Sequence, residues 1–187
     1  MHRRIFIAIN LPDQIRKKLA QHQEIWPELP AKWTRPENLH ITVVFLGSVS
    51  EMELPSICKI ANEVSQRHAS FLINLNQVCY GPPKKMPPRM IWAQGEPSMK
   101  LTKLKEDLEK SLSESVNFHH EERALVPHIT LARIKTWDWQ KIESEERPIV
   151  EKDLNINFDV ESIDIMESEL KRNGPTYMIL ESIPLKF

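Results

Sequence analysis

The chain carries one short pattern twice, once in each half: Leu39-His40-Ile41-Thr42-Val43-Val44-Phe45-Leu46-Gly47 and Pro127-His128-Ile129-Thr130-Leu131-Ala132-Arg133-Ile134. Both runs have the composition of strands. Side chains on a strand alternate between faces, so His40 and Thr42 project together while Ile41, Val43 and Phe45 project the other way. His128 and Thr130 likewise stand opposite Ile129 and Leu131. A fold that accommodates both runs has to bury two apolar strand faces and present two imidazoles and two hydroxyls to a shared space. The pattern predicts an internal duplication with a cleft between its two parts.

The rest of the chain supplies elements around those strands. Residues 4–11 read as an isoleucine-rich strand that breaks at Pro12-Asp13, followed by a helical stripe of Ile15, Leu19, His22 and Trp26 ended by Pro27. Gly47 closes the second strand, and Ser50 with Glu53 reads as a capping box before Leu54, Ile57, Ala61 and Val64 at helical spacing. A strand over 70–79 leads into Gly81-Pro82-Pro83-Lys84-Lys85-Met86-Pro87-Pro88, whose prolines exclude regular structure. A strand over 89–94 and a helix marked by Leu101, Leu104, Leu108 and Leu112 precede the second motif. A polar segment around 137–147 reads as a short helix. Two alternating stretches, 154–167 and 176–186, joined by the turn Arg172-Asn173-Gly174-Pro175, predict a closing hairpin. Helices do not alternate strictly with strands, so the fold class is α+β, with residues 1–187 forming a single domain.

Composition narrows the function. Four glycines against fourteen prolines, and no GxGxxG or GxxxxGK[ST], argue against a glycine-rich phosphate loop. A formal net charge of −1 argues against wrapping a long polyanion; a nucleic-acid partner would be gripped at an end or as a short fragment. Cys58 and Cys79 do not form a disulfide framework and read as free thiols in a reducing compartment. The apolar start ends at Leu11, too short for a secretory leader, and no run approaches a membrane span. A cytoplasmic protein without membrane partners, acting as a monomer, is expected.

Two histidines suit in-line displacement at phosphorus: a neutral imidazole takes a proton from water while an imidazolium gives one to the leaving alkoxide. Hydroxyls beside them can donate to non-bridging oxygens, where negative charge accumulates. The alternative of a metal site is weaker, because each strand offers one good ligand and His-x-x-x-His and Cys-x-x-Cys spacings are missing. His119 and His120 read as solvated loop residues.

The ordered motifs resemble those of the two-histidine (2H) phosphoesterases, and within them the LigT-like RNA 2′,3′-cyclic phosphodiesterases. The matching segments are Arg4-Ile5-Phe6-Ile7-Ala8-Ile9, Arg35-Pro36-Glu37-Asn38-Leu39-His40-Ile41-Thr42 running into Phe45-Leu46-Gly47, and Pro88-Arg89-Met90-Ile91-Trp92. They continue with Val126-Pro127-His128-Ile129-Thr130-Leu131-Ala132-Arg133 and Glu167-Ser168-Glu169-Leu170 before Gly174 and Tyr177. The resemblance implies a two-lobed, pseudo-twofold α+β fold of mainly antiparallel sheets, with helices outside, a central cleft and no cofactor. It implies hydrolysis of RNA 2′,3′-cyclic phosphate ends to a 2′-phosphate, with His40 as proton donor, His128 as proton acceptor, and Thr42, Thr130 and Arg133 holding phosphate oxygens. Strict alternation would put Arg133 opposite His128, so a strand end or a bulge after Leu131 is expected to re-aim it. The position matching Arg133 in the first motif is expected to be Leu46, leaving the symmetry incomplete.

Trp33 and Trp92 are candidates to stack on a base, and Lys84, Lys85 and Arg89 to meet the RNA backbone. Three functions fit this sequence: the cyclic phosphodiesterase; a 2′–5′ RNA ligase or small cyclic-nucleotide phosphodiesterase using the same site; and a non-catalytic nucleotide-binding module. Intact His and Thr in both motifs weigh against the last.

Overall fold

The computed structural model describes residues 2–116, 118, 125–172 and 174–186. His119 and His120, and Asn173 of the last turn, lie outside these. The described elements run β1 (His2–Asn10), α1 (Asp13–Ala20), β2 (Ala31–Trp33), β3 (His40–Ser50), α2 (Leu54–Ser65), β4 (Phe71–Gly81), β5 (Met90–Gly95) and α3 (Met99–Leu112). They continue with β6 (His128–Ile134), α4 (Thr136–Gln140), β7 (Glu151–Val160), β8 (Ser162–Lys171) and β9 (Gly174–Pro184).

The strands form one sheet in the order β7-β4-β5-β6-β3-β1-β8-β9, with β2 added beside β6. Neighbouring strands pair antiparallel throughout. The two motif strands lie at the centre and pair at Ile41–Ile129 alone. Each carries an arm of three further strands: β1, β8 and β9 beside β3, and β5, β4 and β7 beside β6. This is the α+β, mainly antiparallel arrangement expected. The arms are not the contiguous halves of the chain, because β8 and β9 return from the C-terminus to the N-terminal arm.

Alternation along β1 shows how the faces divide. Ile5, Ile7 and Ile9 enter the main core, while Phe6 and Ala8 face the other way and meet Met166 and the partly buried Tyr177. The main core lies under the helices. Ile57, Ala61 and Val64 of α2 and Leu101, Leu104, Leu108 and Leu112 of α3 are almost fully buried in it, each larger side chain contributing about 1.5–3 kcal/mol. Ser98 caps α3 by accepting from the Leu101 amide. Helices therefore cover one face of the sheet, and the histidines stand on the other.

Four local expectations need correction. The stretch 154–167 is not one strand of a hairpin: it breaks at Glu161, and β7 pairs with β4 at one edge while β8 pairs with β1 in the other arm. Period-2 alternation cannot reveal a change of partner. The short strand β2 was not expected; three residues carry too little pattern. Gly47 does not close its strand, since β3 continues to Ser50 through a bulge in which Gly47 takes φ +75°. In the expected capping box, Glu53 does accept from the Ser50 amide and hydroxyl, but α2 begins only after it.

Candidate active site

One irregularity, made twice, builds the site. In the β1–β3 register Ile7 faces Val44 and Ala8 faces Thr42, which leaves Val43 as the extra residue of a bulge. In the β5–β6 register Ile91 faces Ala132 and Trp92 faces Thr130, which leaves Leu131 extra. A bulge consumes a residue without changing face. Val43 and Val44 are therefore both buried, as are Leu131 and Ala132. The next residues, Phe45 and Arg133, emerge beside the histidines. Of the strand end or bulge expected after Leu131, a bulge is present, at Leu131, and Arg133 lines the cleft. Two other expectations fail. Phe45 lies on the histidine face, 49% exposed, and Phe45, five residues beyond its histidine, is the counterpart of Arg133; Leu46 is buried.

His40, Thr42, His128, Thr130 and Arg133 all line a single cleft of about 530 Å³. The two imidazoles are oriented by the same device. His40 Nδ1 lies 2.8 Å from the Asn38 carbonyl, and His128 Nδ1 lies 2.9 Å from the Val126 carbonyl. A carbonyl only accepts, so each Nδ1 carries a hydrogen and each Nε2 is the ring nitrogen left for other partners. His40 Nε2 stands 3.1 Å from Thr42 Oγ1. His128 Nε2 makes no hydrogen bond among the described residues.

The rings differ in what supports them. His40 sits with its ring centroid 5.1 Å from Phe6 and 5.1 Å from Tyr177, the latter edge-on. Burial in this aromatic corner lowers the His40 pKa; the hydrogen bond to Asn38 opposes the shift and the neighbouring His128 adds to it. The His128 ring stacks on Trp92 at 4.0 Å. Trp92 in turn packs on Gly81, where a Cβ would lie 2.2 Å from the indole; no other residue leaves the Trp92–His128 stack in place. Across the sheet register, Asn10 faces His40 and Gln94 faces His128. Asn10 Nδ2 donates to Asp164 at 2.7 Å, and the Cys79 thiol donates to Gln94 at 3.7 Å.

Asn38 joins two parts of the cleft. Its carbonyl holds His40, and its side-chain amide donates to the Pro175 carbonyl at 3.1 Å, tying the tip of the β8–β9 hairpin to the first motif. Tyr177 closes the same side; burial raises its pKa, against the opposing influence of Arg133 and Arg4, so the phenol remains a neutral donor.

Trp33 lines the cleft, whereas Trp92 lies behind His128 and is not a free stacking surface. Lys84, Lys85 and Arg89 do not line it. Its cations are instead Arg4, Lys32, Arg35 and Arg133, and its described lining holds no carboxylate. The first three were missed as site residues, although β1 alternation pointed to Arg4: with Ile5, Ile7 and Ile9 inward, Arg4 shares a face with Phe6. Among the described residues no three His, Cys, Asp or Glu side chains gather where they could hold a metal ion, and no helix is long and apolar enough to cross a membrane. The arrangement can bind an anion and move one proton onto it and one off it.

Comparison with known proteins gives a consistent result. The family model described as LigT like phosphoesterase matches residues 9–92 and 94–177. The chain is 34% identical to the RNA 2′,3′-cyclic phosphodiesterase of Thermotoga maritima, over 95% of this chain and 92% of that protein. It is 31% identical to the protein of the same name from Methanocaldococcus jannaschii, over 95% and 98%. A solved structure from Thermus thermophilus superposes with a TM-score of 0.82 at 29% identity, covering 97% of each chain.

Proposed function

The chain belongs to the LigT-like phosphoesterase family, and from that premise we propose that it opens RNA 2′,3′-cyclic phosphate ends to 2′-phosphates by metal-independent acid–base catalysis. One observation carries this reading: two imidazoles, each fixed through Nδ1 on a backbone carbonyl, present Nε2 to one cationic cleft whose described lining holds no carboxylate. Relatives named RNA 2′,3′-cyclic phosphodiesterase at about one-third identity over nearly the whole chain support the same substrate.

The cyclic phosphate sits between the motifs, its non-bridging oxygens held by the Thr42 and Thr130 hydroxyls and the Arg133 guanidinium. His128 Nε2 takes a proton from a water molecule as its oxygen attacks phosphorus opposite O3′. The P–O3′ bond breaks, and His40 Nε2–H donates its proton to O3′. The products are a 2′-phosphate and a 3′-hydroxyl, with His128 protonated and His40 neutral; exchange with solvent restores the starting pair. His40 is poised for donation, because the same burial that lowers its pKa makes its imidazolium a stronger acid. The negative phosphate favours the charged form once substrate is bound.

The test is product analysis. An oligoribonucleotide ending in a 2′,3′-cyclic phosphate is incubated with the protein, with and without EDTA, and the phosphate position is read by nuclease mapping or ³¹P NMR. The expected outcome is a 2′-phosphate at the same rate in both samples. A 3′-phosphate would reverse the assigned direction of opening, and turnover abolished by EDTA and restored by a divalent ion would remove the two-histidine mechanism.

A further inference from the structure

We propose that Arg4, braced on Phe45, binds a second phosphate of the RNA chain, one nucleotide or more from the cyclic end, and thereby makes the site prefer oligonucleotides to mononucleotides. This rests on the phosphodiesterase reading and adds a subsite to it.

The duplication itself exposes the feature. Bulges at Val43 and Leu131 bring one side chain after each motif into the cleft, Arg133 on one side and Phe45 on the other. An exposed phenylalanine facing a phosphate site contributes nothing to the anion by itself. The Arg4 guanidinium, however, lies over the Phe45 ring, 5.7 Å from its centroid. A cation over an aromatic face is held there by the ring quadrupole. The first motif thus regains a cation from a neighbouring strand.

Arg4 is kept available. Its neighbour Arg3, on the other face of β1, is paired with Glu51 at 3.0 Å and Glu167 at 3.1 Å. Arg4 has no carboxylate partner among the described residues, and the cleft's described lining holds none. The subsite is also set apart from the reacting phosphate. Phe6 is the β1 residue whose ring reaches His40, and Arg4 stands two residues further along the strand, about 6.6 Å at 3.3 Å per residue. Arg133 lines the same cleft as the histidines; in this proposal Arg4, displaced along β1, meets the next phosphodiester of a chain leaving the cyclic end. Single-stranded RNA is gripped through such backbone contacts, with a marked dependence on salt.

The test is equilibrium binding of products, which needs no turnover. A fluorescent tetraribonucleotide ending in 2′-phosphate is compared with a nucleoside 2′-phosphate, for wild type and Arg4→Gln, across a salt series. The expected result is that the wild type prefers the tetranucleotide and that Arg4→Gln reduces this preference roughly three- to tenfold. The salt slope for the tetranucleotide should fall by about 0.7, the share of one single-strand phosphate contact. Phe45→Leu, which removes the brace but keeps the charge, should give a smaller loss in the same direction. An unchanged preference in Arg4→Gln, or equal weakening of both probes, overturns the subsite. Failure of the hydrolase reading is separate: it is seen when wild type binds the tetranucleotide but does not open the cyclic phosphate.

Discussion

Replacing either His40 or His128 with alanine is expected to lower kcat by about 10²–10⁴-fold, the usual contribution of a general acid or base, with little change in substrate affinity. The imidazoles act on protons that move only as the P–O bonds change, so their effect belongs to the transition state. The double variant should be far less than additively worse, because a relay that has lost one proton carrier has already failed. Both variants should fold. His40 and His128 are half-buried at the cleft surface, and the sheet beneath them is held by Ile41 and Ile129, both fully buried. Steady-state kinetics with thermal denaturation as a control checks this. Folded single variants with wild-type kcat would show that neither imidazole carries a proton in the displacement and would overturn the two-histidine mechanism.

Arg133→Ala should cost about 10²–10³-fold, comparable to removing one preorganised donor to a developing oxyanion, and should appear in both kcat and KM because the phosphate carries charge before and during displacement. Arg133→Lys should recover only part of the loss. An ammonium supplies charge but not the planar fork that meets two phosphate oxygens at once. Thr42→Ala and Thr130→Ala should act in the same direction with smaller effect, each removing one neutral donor. If Arg133→Lys equals wild type, Arg133 serves as a general positive field and does not hold the phosphate.

How far the sequence could be read depended on the kind of information each feature carries. The pairing of the histidines, their hydroxyl companions and the α+β class follow from residue type and alternation, which are local. Arg133 shows the limit within a strand. Counting faces was enough to demand a break in alternation after Leu131, by a strand end or a bulge, and register alone decides for the bulge. The same count applied to the first motif makes Phe45 the counterpart, and its exposure in the cleft follows from the matching bulge at Val43. What could not be read is the choice of strand partners. Glu161 separates two strands that join opposite arms, yet nothing in the alternation of 154–167 marks the change. For the same reason, the support of His128 by Trp92 and Gly81 and the link of Asn38 to Pro175 are properties of non-local register. The basic loop at Lys84 and Lys85 attracted a phosphate role by charge alone, whereas the cleft takes its cations from β1, β2, β6 and the segment before β3.

The pH dependence of kcat/KM for an oligonucleotide 2′,3′-cyclic phosphate addresses the two-histidine claim most directly. The active form of the free enzyme carries one proton on the pair. Activity should therefore fall as the pH drops and both rings become charged, and fall again as it rises and both become neutral. Burial and the nearby His128 lower the His40 pKa, while the bound phosphate pulls it back up, so the basic limb of kcat should lie at higher pH than that of kcat/KM. The account predicts a bell with both limbs roughly between pH 5 and 8, collapsing to a single limb in whichever histidine variant retains measurable turnover. A profile flat across that window in the wild type, or a full bell persisting in both histidine variants, would contradict it.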